Sequence, residues 1–263
     1  GAVRGKRRES TDMLRIENLR KSFGGVNAMN GVSLQFDAGS LTAVIGPNGA
    51  GKTTFFNLVT GDFKPDSGSI RLGGEDIAGL PAPEIVRRGI GRAFQIASIF
   101  PTLSVREAIF GAVNAHRQWH AKLGRRFPLA ETHAQADEVM ELVKLAPKAE
   151  TLSGNLSHGD QKLLDIALAL ALEPRVLLLD EPTAGMGTEE RWQMIATVHE
   201  LWERKKMTLI FIEHDMDIVF KYAQTIRVLS YGTVLAEGKP DEVRKHPKVI
   251  EAYLGAHFEA AQA

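Results

Sequence analysis

The stretch Gly46-Pro47-Asn48-Gly49-Ala50-Gly51-Lys52-Thr53-Thr54 constrains this chain more than any other. It fits G-x-x-x-x-G-K-[ST], a spacing that works only where a strand delivers the chain into a glycine turn and a helix carries it out. Both flanks comply. Leu41–Ile45 is an apolar run of strand length, and Phe55, Phe56, Leu58 and Val59 outline a helix that stops at Gly61. In such a turn the glycines let backbone N–H groups close around phosphate oxygens, and the helix N-terminus adds partial positive charge. Lys52 can reach the β- and γ-phosphates of ATP, and the Thr53 hydroxyl can ligate Mg2+.

The chain around this loop reads as α/β. Residues 13–19 and 31–36 suggest two strands about the turn Gly24-Gly25, and 68–72 a third ending at Gly73-Gly74, so some pairing is expected to be antiparallel. From about residue 96 the apolar spacing becomes helical, with Val105, Ala108, Ile109 and Ala112, then Ala136, Val139, Met140, Val143 and Leu145. This is expected to be a helical insert. Beyond Leu163 short apolar runs at 176–179, 207–212, 226–229 and 233–236 alternate with helical patterns, which implies a mostly parallel sheet covered on both faces.

Composition narrows the class. With 263 residues, 44% hydrophobic, the chain has ample core for one large or two small domains. Its 32 acidic and 32 basic residues cancel, which argues against a dominant nucleic-acid footprint. It has no cysteine, which removes disulfides and cysteine zinc sites and fits a reducing compartment. No apolar run approaches a membrane span, and no apolar segment of signal-peptide type follows the N-terminus. A soluble or peripheral protein on the ATP-rich cytosolic side is expected. Residues 1–12, with Arg4, Lys6, Arg7 and Arg8, are expected to be a disordered tail. The segment 115–128 is basic; His116 and His120 have metal-pair spacing, but no third ligand is near, and a solvated basic surface is the favoured reading.

Further chemistry gathers at strand ends. The run 176–179 leads into Asp180-Glu181, which puts two carboxylates at the carboxyl end of a buried strand. Asp180 suits Mg2+, and Glu181 suits a water poised to attack the γ-phosphorus. His214 follows another strand and could touch that water or the phosphate. Gln95 stands where the α/β core passes into the helical insert and could touch Mg2+ or water. Phe23 could stack on adenine or belong to the core. Leu156-Ser157-His158-Gly159-Asp160 precedes a helix that Ser157 could cap, and the amides near Gly159 offer a second anion site.

Taken in order, these stations resemble the ATP-binding subunits of ABC transporters over roughly residues 13–254. Residues 46–54 match the Walker A loop, Gln95 the Q-loop, 156–160 the signature usually written Leu-Ser-Gly-Gly-Gln, Asp180 and Glu181 the Walker B end and catalytic glutamate, His214 the switch histidine and Phe23 the A-loop aromatic. The resemblance implies a RecA-like P-loop core with an antiparallel β-subdomain, an inserted helical subdomain over about 96–165 and a tail over 255–263. It further implies a second ATP-binding subunit, the same chain or a paralogue, whose Ser157 and Gly159 equivalents cover the ATP held by Lys52. Permease subunits and, indirectly, a solute-binding protein complete the assembly, with this chain peripheral on the cytoplasmic face of the membrane and no nucleic-acid partner. Two places depart from the family pattern. His158 and Asp160 replace glycine and glutamine in the signature, and Ala184-Gly185-Met186-Gly187 lacks the aspartate usual in the D-loop. Lys21-Ser22-Phe23-Gly24-Gly25 and Val249-Ile250-Glu251-Ala252-Tyr253-Leu254-Gly255 look like importers of branched-chain amino acids or, more distantly, of urea and short amides. The competing classes are an ABC-type ATPase acting on DNA or ribosomes, and a non-catalytic phosphate-binding module.

Overall fold

A computed structural model describes residues 12–93, 100–120 and 129–260. The chain begins with β1 (Asp12–Phe23) and β2 (Val26–Asp37), which turn on Gly24-Gly25, followed by β3 (Leu41–Ile45) and α1 (Lys52–Val59). Next come β4 (Ser67–Leu72), β5 (Glu75–Asp76), α2 (Ala82–Arg87) and β6 (Ile90–Ala93). Among the described residues, three α-helices stand between β6 and the next strand: α3 (Val105–His120), α4 (Leu129–Leu142) and α5 (His158–Leu170). The chain then runs through β7 (Val176–Asp180), α6 (Thr188–Lys205), β8 (Thr208–Ile212), α7 (Met216–Tyr222), β9 (Thr225–Ser230) and β10 (Thr233–Gly238). It closes with α8 (Pro240–Arg244) and α9 (Pro247–Ala260).

Two sheets result. One is antiparallel, in the order β2-β1-β4-β5. The other has the order β10-β9-β3-β8-β7-β6, parallel throughout except for the β9–β10 hairpin. Pleating sorts the side chains of the parallel sheet between two cores. Leu177, Leu179, Leu209 and Phe211 face the core shared with the helices α3 to α7. Val176, Leu178, Ile210 and Ile212 face the other, where α1 packs Phe55, Phe56 and Leu58 against Leu14, Ile16 and Phe36 of the antiparallel sheet. Each fully buried phenylalanine of α1 contributes about 2–3 kcal/mol to holding the two sheets together.

Some boundaries depart from the periodicity. The helical pattern ending at Leu145 breaks three residues early: α4 stops at Leu142, Lys144 adopts φ 60, and the Leu145 N–H reaches back to the Met140 carbonyl at 2.9 Å. Val143 and Leu145 stay buried beyond the helix because this left-handed cap folds the chain back onto the core. At the other end α9 continues to Ala260, so residues 255–260, expected as tail, complete a helix. Among the described residues no helix is long and apolar enough to cross a membrane.

Candidate active site

The parallel order brings the sequence stations to one edge. β3, β8 and β7 are neighbours, so their carboxyl ends carry the phosphate loop, Glu213-His214 and Asp180-Glu181 side by side. β6 extends the row and adds Arg92.

The loop between β3 and α1 takes positive φ at Gly46 (154), Gly49 (76) and Gly51 (100). Close approach of other chain segments makes two of these glycines obligatory. A Cβ on Gly46 would lie 2.1 Å from the Leu229 carbonyl oxygen, and one on Gly51 would lie 2.3 Å from Met29 Cε and 2.6 Å from the Ala28 carbonyl oxygen. The β9–β10 turn braces the loop, with the Gly232 N–H donating to the Ala50 carbonyl at 3.1 Å. Lys52 folds back over the loop and donates to the carbonyls of Gly46 at 2.7 Å and Pro47 at 3.1 Å. Burial pushes its ammonium below the usual lysine range, and the carboxylates of Glu181 and Asp180 partly restore it.

Glu181 has φ 49 directly after β7, and its side chain meets His214 with Oε1–Nε2 at 2.8 Å. The neighbouring Asp180 accepts from Arg92 Nη2 at 2.7 Å, and Arg92 also donates to Asn57 of α1 at 2.6 Å. Buried Glu213 accepts from the Thr183 N–H at 2.9 Å and the Thr183 hydroxyl at 2.7 Å, which ties the segment after β7 to the end of β8. Thr53, Arg92, Lys162, Asp180, Glu181 and Ala184 line one cavity of about 480 Å3. The loop and cavity fit a nucleotide and a hard cation. The glycine cradle is space that a Cβ would fill, and the Thr53 hydroxyl and Asp180 carboxylate are oxygen donors opening on the same cavity. Among the described residues no group of three His, Cys, Asp or Glu side chains could hold a metal by itself.

The start of α5, where a second anion site is expected, takes a form of its own. Ser157 caps α5, its Oγ accepting from the Asp160 N–H at 3.2 Å and donating to the Asp160 carboxylate at 2.5 Å. Lys148 forms an ion pair with the same carboxylate. Partial burial opposes the charge of Asp160, yet the bonds from Lys148 and Ser157 outweigh it and hold the carboxyl below the ordinary aspartate range. The negative charge that sets this signature apart is therefore partnered within the subunit. The other departures touch each other: His158 Nε2 lies 3.3 Å from the Ala184 carbonyl oxygen. Ser157 is exposed, whereas Gly159 is buried against Glu190 of α6.

Lys52, Thr53, Asp180, Glu181 and His214 thus share one region, while Ser157 and Gly159 form a separate station at the start of α5. Phe23 ends β1, 43% exposed with an edge-to-face contact to Phe63, so it is no core residue. The hairpin that carries it lies against the phosphate loop through Ala28 and Met29. Gln95 lies outside the described residues, directly beyond the end of β6. So does part of the basic segment; within the described part Arg117 pairs with Glu131, and His116 lies 3.8 Å from Glu173. Three contributors escape sequence reasoning. Arg92 and Lys162 belong to no local pattern, and their approach to Asp180 and Glu181 depends on the sheet order and on the packing of α5. Tyr253, half-buried on α9, accepts a hydrogen bond from the Gly46 backbone, and burial pushes its phenol from 10.0 to about 12.

Comparison with known proteins agrees with this geometry. The ABC transporter family profile matches residues 29–184, and a profile described as branched-chain amino acid ATP-binding cassette transporter matches residues 233–259. The chain is 38% identical over 252 residues to the high-affinity branched-chain amino acid transport ATP-binding protein BraF of Pseudomonas aeruginosa, covering 94% of this chain and 99% of that protein. It is 37% identical over 256 residues to LivG of Escherichia coli, a protein of the same description, with 94% and 99% covered. Among solved structures, the ADP conformation of MJ1267, an ATP-binding cassette of an ABC transporter, superposes with a TM-score of 0.81 at 32% identity, covering 93% of this chain and 99% of that one. A dimeric post-hydrolysis state of the cassette MJ0796 bound to ADP and phosphate gives 0.71 at 25% identity, with 87% and 99% covered. With the phosphate loop, the acidic strand end and these relatives in agreement, the chain belongs to the ABC transporter family as one of its ATP-binding cassette ATPases.

Proposed function

We propose that this ATPase energises the import of branched-chain amino acids through separate permease subunits, from the cytoplasmic face of the membrane. The contact that carries the catalytic part is Glu181 to His214, 2.8 Å long, at the rim of the cavity that Thr53 and Asp180 line. On this reading Lys52 exchanges the Gly46 and Pro47 carbonyls for phosphate oxygens, while the amides of the loop hold the rest of the triphosphate. Thr53 and Asp180, with Gln95, would hold Mg2+, which supplies charge neutralisation at the phosphates when bound. Glu181 orients and deprotonates the attacking water, and His214 keeps the carboxylate in place and contacts the γ-phosphate side. Phe23 stacks on adenine. Ser157 and Gly159 cover the nucleotide of a second ATP-binding subunit, a copy of this chain or a paralogue. The working unit spans residues 13–254, with a helical subdomain over about 96–165 inserted in the α/β core.

The apolar groove of about 600 Å3 between α2, α3, α5 and β6, lined by Ile85, Val86, Leu103, Ala108 and Leu168, offers a seat for a permease helix. Arg92 stands in its wall and bonds Asp180, so a permease helix seated there presses directly on the nucleotide cavity. The C-terminal profile and the relatives' names support branched-chain amino acids as the solute.

Glu181→Gln is expected to keep ATP binding and to lower turnover at least a hundredfold, measured by phosphate release beside nucleotide titration. Full turnover in that variant removes Glu181 from its role. For the solute, the chain purified with its membrane subunits is expected to hydrolyse ATP faster with a leucine-loaded binding protein. Stimulation by urea or short amides instead would move it to that branch of importers, and co-purification with nucleic acid would favour a non-transport ATPase.

A further inference from the structure

We propose that Lys162, on the second turn of α5, is a positioning residue for the Glu181 carboxylate, gripping the Glu181 carbonyl so that the turn after β7 keeps the side chain aimed at His214. The proposal rests on the reading of Glu181 as the residue that tends the attacking water.

The geometry is specific. Glu181 is a non-glycine residue with φ 49, a conformation that costs about 1–2 kcal/mol and persists only where its surroundings enforce it. Its N–H, its carbonyl and its carboxylate are all held. The Glu181 N–H donates to the Ile212 carbonyl of β8 at 3.0 Å. Its carbonyl accepts from the Ala184 N–H at 3.1 Å and from Lys162 Nζ at 2.8 Å. Its carboxylate meets His214 at 2.8 Å. Of the groups on the carbonyl, the Ala184 amide belongs to the same turn and moves with it. Lys162 comes from a packed helix and fixes the turn from outside. The lysine is half-buried, and burial pushes its ammonium below the usual lysine range, an effect that Glu213, Glu181, Asp165 and Asp180 at the acidic end of the sheet partly offset. It faces the cavity with its ammonium already committed to a backbone oxygen, and Lys52 stands over the phosphate loop. A direct phosphate ligand and a positioning residue therefore make opposite predictions. Losing the first raises KM for ATP; losing the second lowers kcat and spares KM.

The test uses the full chain as Lys162→Met, Lys162→Gln and Lys162→Arg, with Glu181→Gln as control. Lys162→Met and Lys162→Gln are expected to lower kcat about tenfold to a hundredfold with KM within about twofold, and Lys162→Arg to recover most of the loss. In sedimentation, Lys162→Met and Glu181→Gln subunits are both expected to pair in the presence of ATP. A folded Lys162→Met or Lys162→Gln with native kcat overturns the proposal, as does a rise in KM with kcat kept. If Glu181→Gln itself turns over normally, it is the assignment of Glu181 that fails.

Discussion

Gly49 and Gly51 stand two positions apart in the phosphate loop and are glycine for different reasons. Gly49 has φ +76 with nothing within 4 Å of a built Cβ, so alanine there meets only the left-handed penalty of about 1–2 kcal/mol. Gly51 has φ +100 and its Cβ would strike the β2 backbone at Ala28. Gly51→Ala must therefore displace either β2 or the start of α1, where Lys52 sits. Its melting temperature is expected to fall clearly further than that of Gly49→Ala, with ATP affinity reduced at least tenfold, read by thermal unfolding and nucleotide titration. At this scale the sequence was informative wherever spacing itself is chemistry. The loop, Asp180 with Glu181, and His214 could each be named from a motif or a strand end. Arg92 and Lys162 could not, because each meets its partner across a distance in the chain, 92 to 180 and 162 to 181, that only the sheet order and helix packing close.

At the scale of elements, two helices tie the site to the rest of the molecule. α5 presents Ser157 outward, rests His158 on the Ala184 carbonyl and reaches Glu181 with Lys162, so a tilt of this helix is felt in the subunit's own site. α9 does the same for the phosphate loop through Tyr253. A phenol whose pKa rises on folding prefers its neutral form in the folded chain. Its contribution is complete below pH 10 and is lost as pH climbs towards 12. Two pKa units correspond to roughly 2–3 kcal/mol. Tyr253→Phe is expected to abolish this alkaline loss, and to remove one third of the phenolate absorbance, since the chain has three tyrosines, with the missing step near pH 12. Of these elements α5 was visible through its apolar spacing. β6 was not. Its four residues include Gly91, and only pairing with β7 makes them a strand.

At the scale of the whole molecule, the phosphate loop and the proposed signature station at Ser157 bear on how two subunits share ATP. Lys52 and Glu181 sit together at the carboxyl edge of the sheet, while Ser157 opens α5 from the helical side, exposed and facing outward. If two chains pair head to tail, each ATP needs the loop of one and the signature of the other. Lys52→Ala removes the first and spares the second. Ser157→Arg does the reverse; it gives up a helix cap worth about 1 kcal/mol, and its exposed position accommodates the longer side chain. Each variant alone is expected to be inactive. In an equal mixture half of the pairs are hybrids, and every hybrid holds one intact site formed from the Ser157→Arg loop and the Lys52→Ala signature. The mixture is therefore expected to recover up to about a quarter of native turnover, if sites act independently. Less recovery, with hybrids shown to form, means that one site cannot fire without the other, which the contacts of α5 with Glu181 and Ala184 provide for. No recovery, with each variant active when mixed with a different cassette subunit, identifies the natural partner as a paralogue.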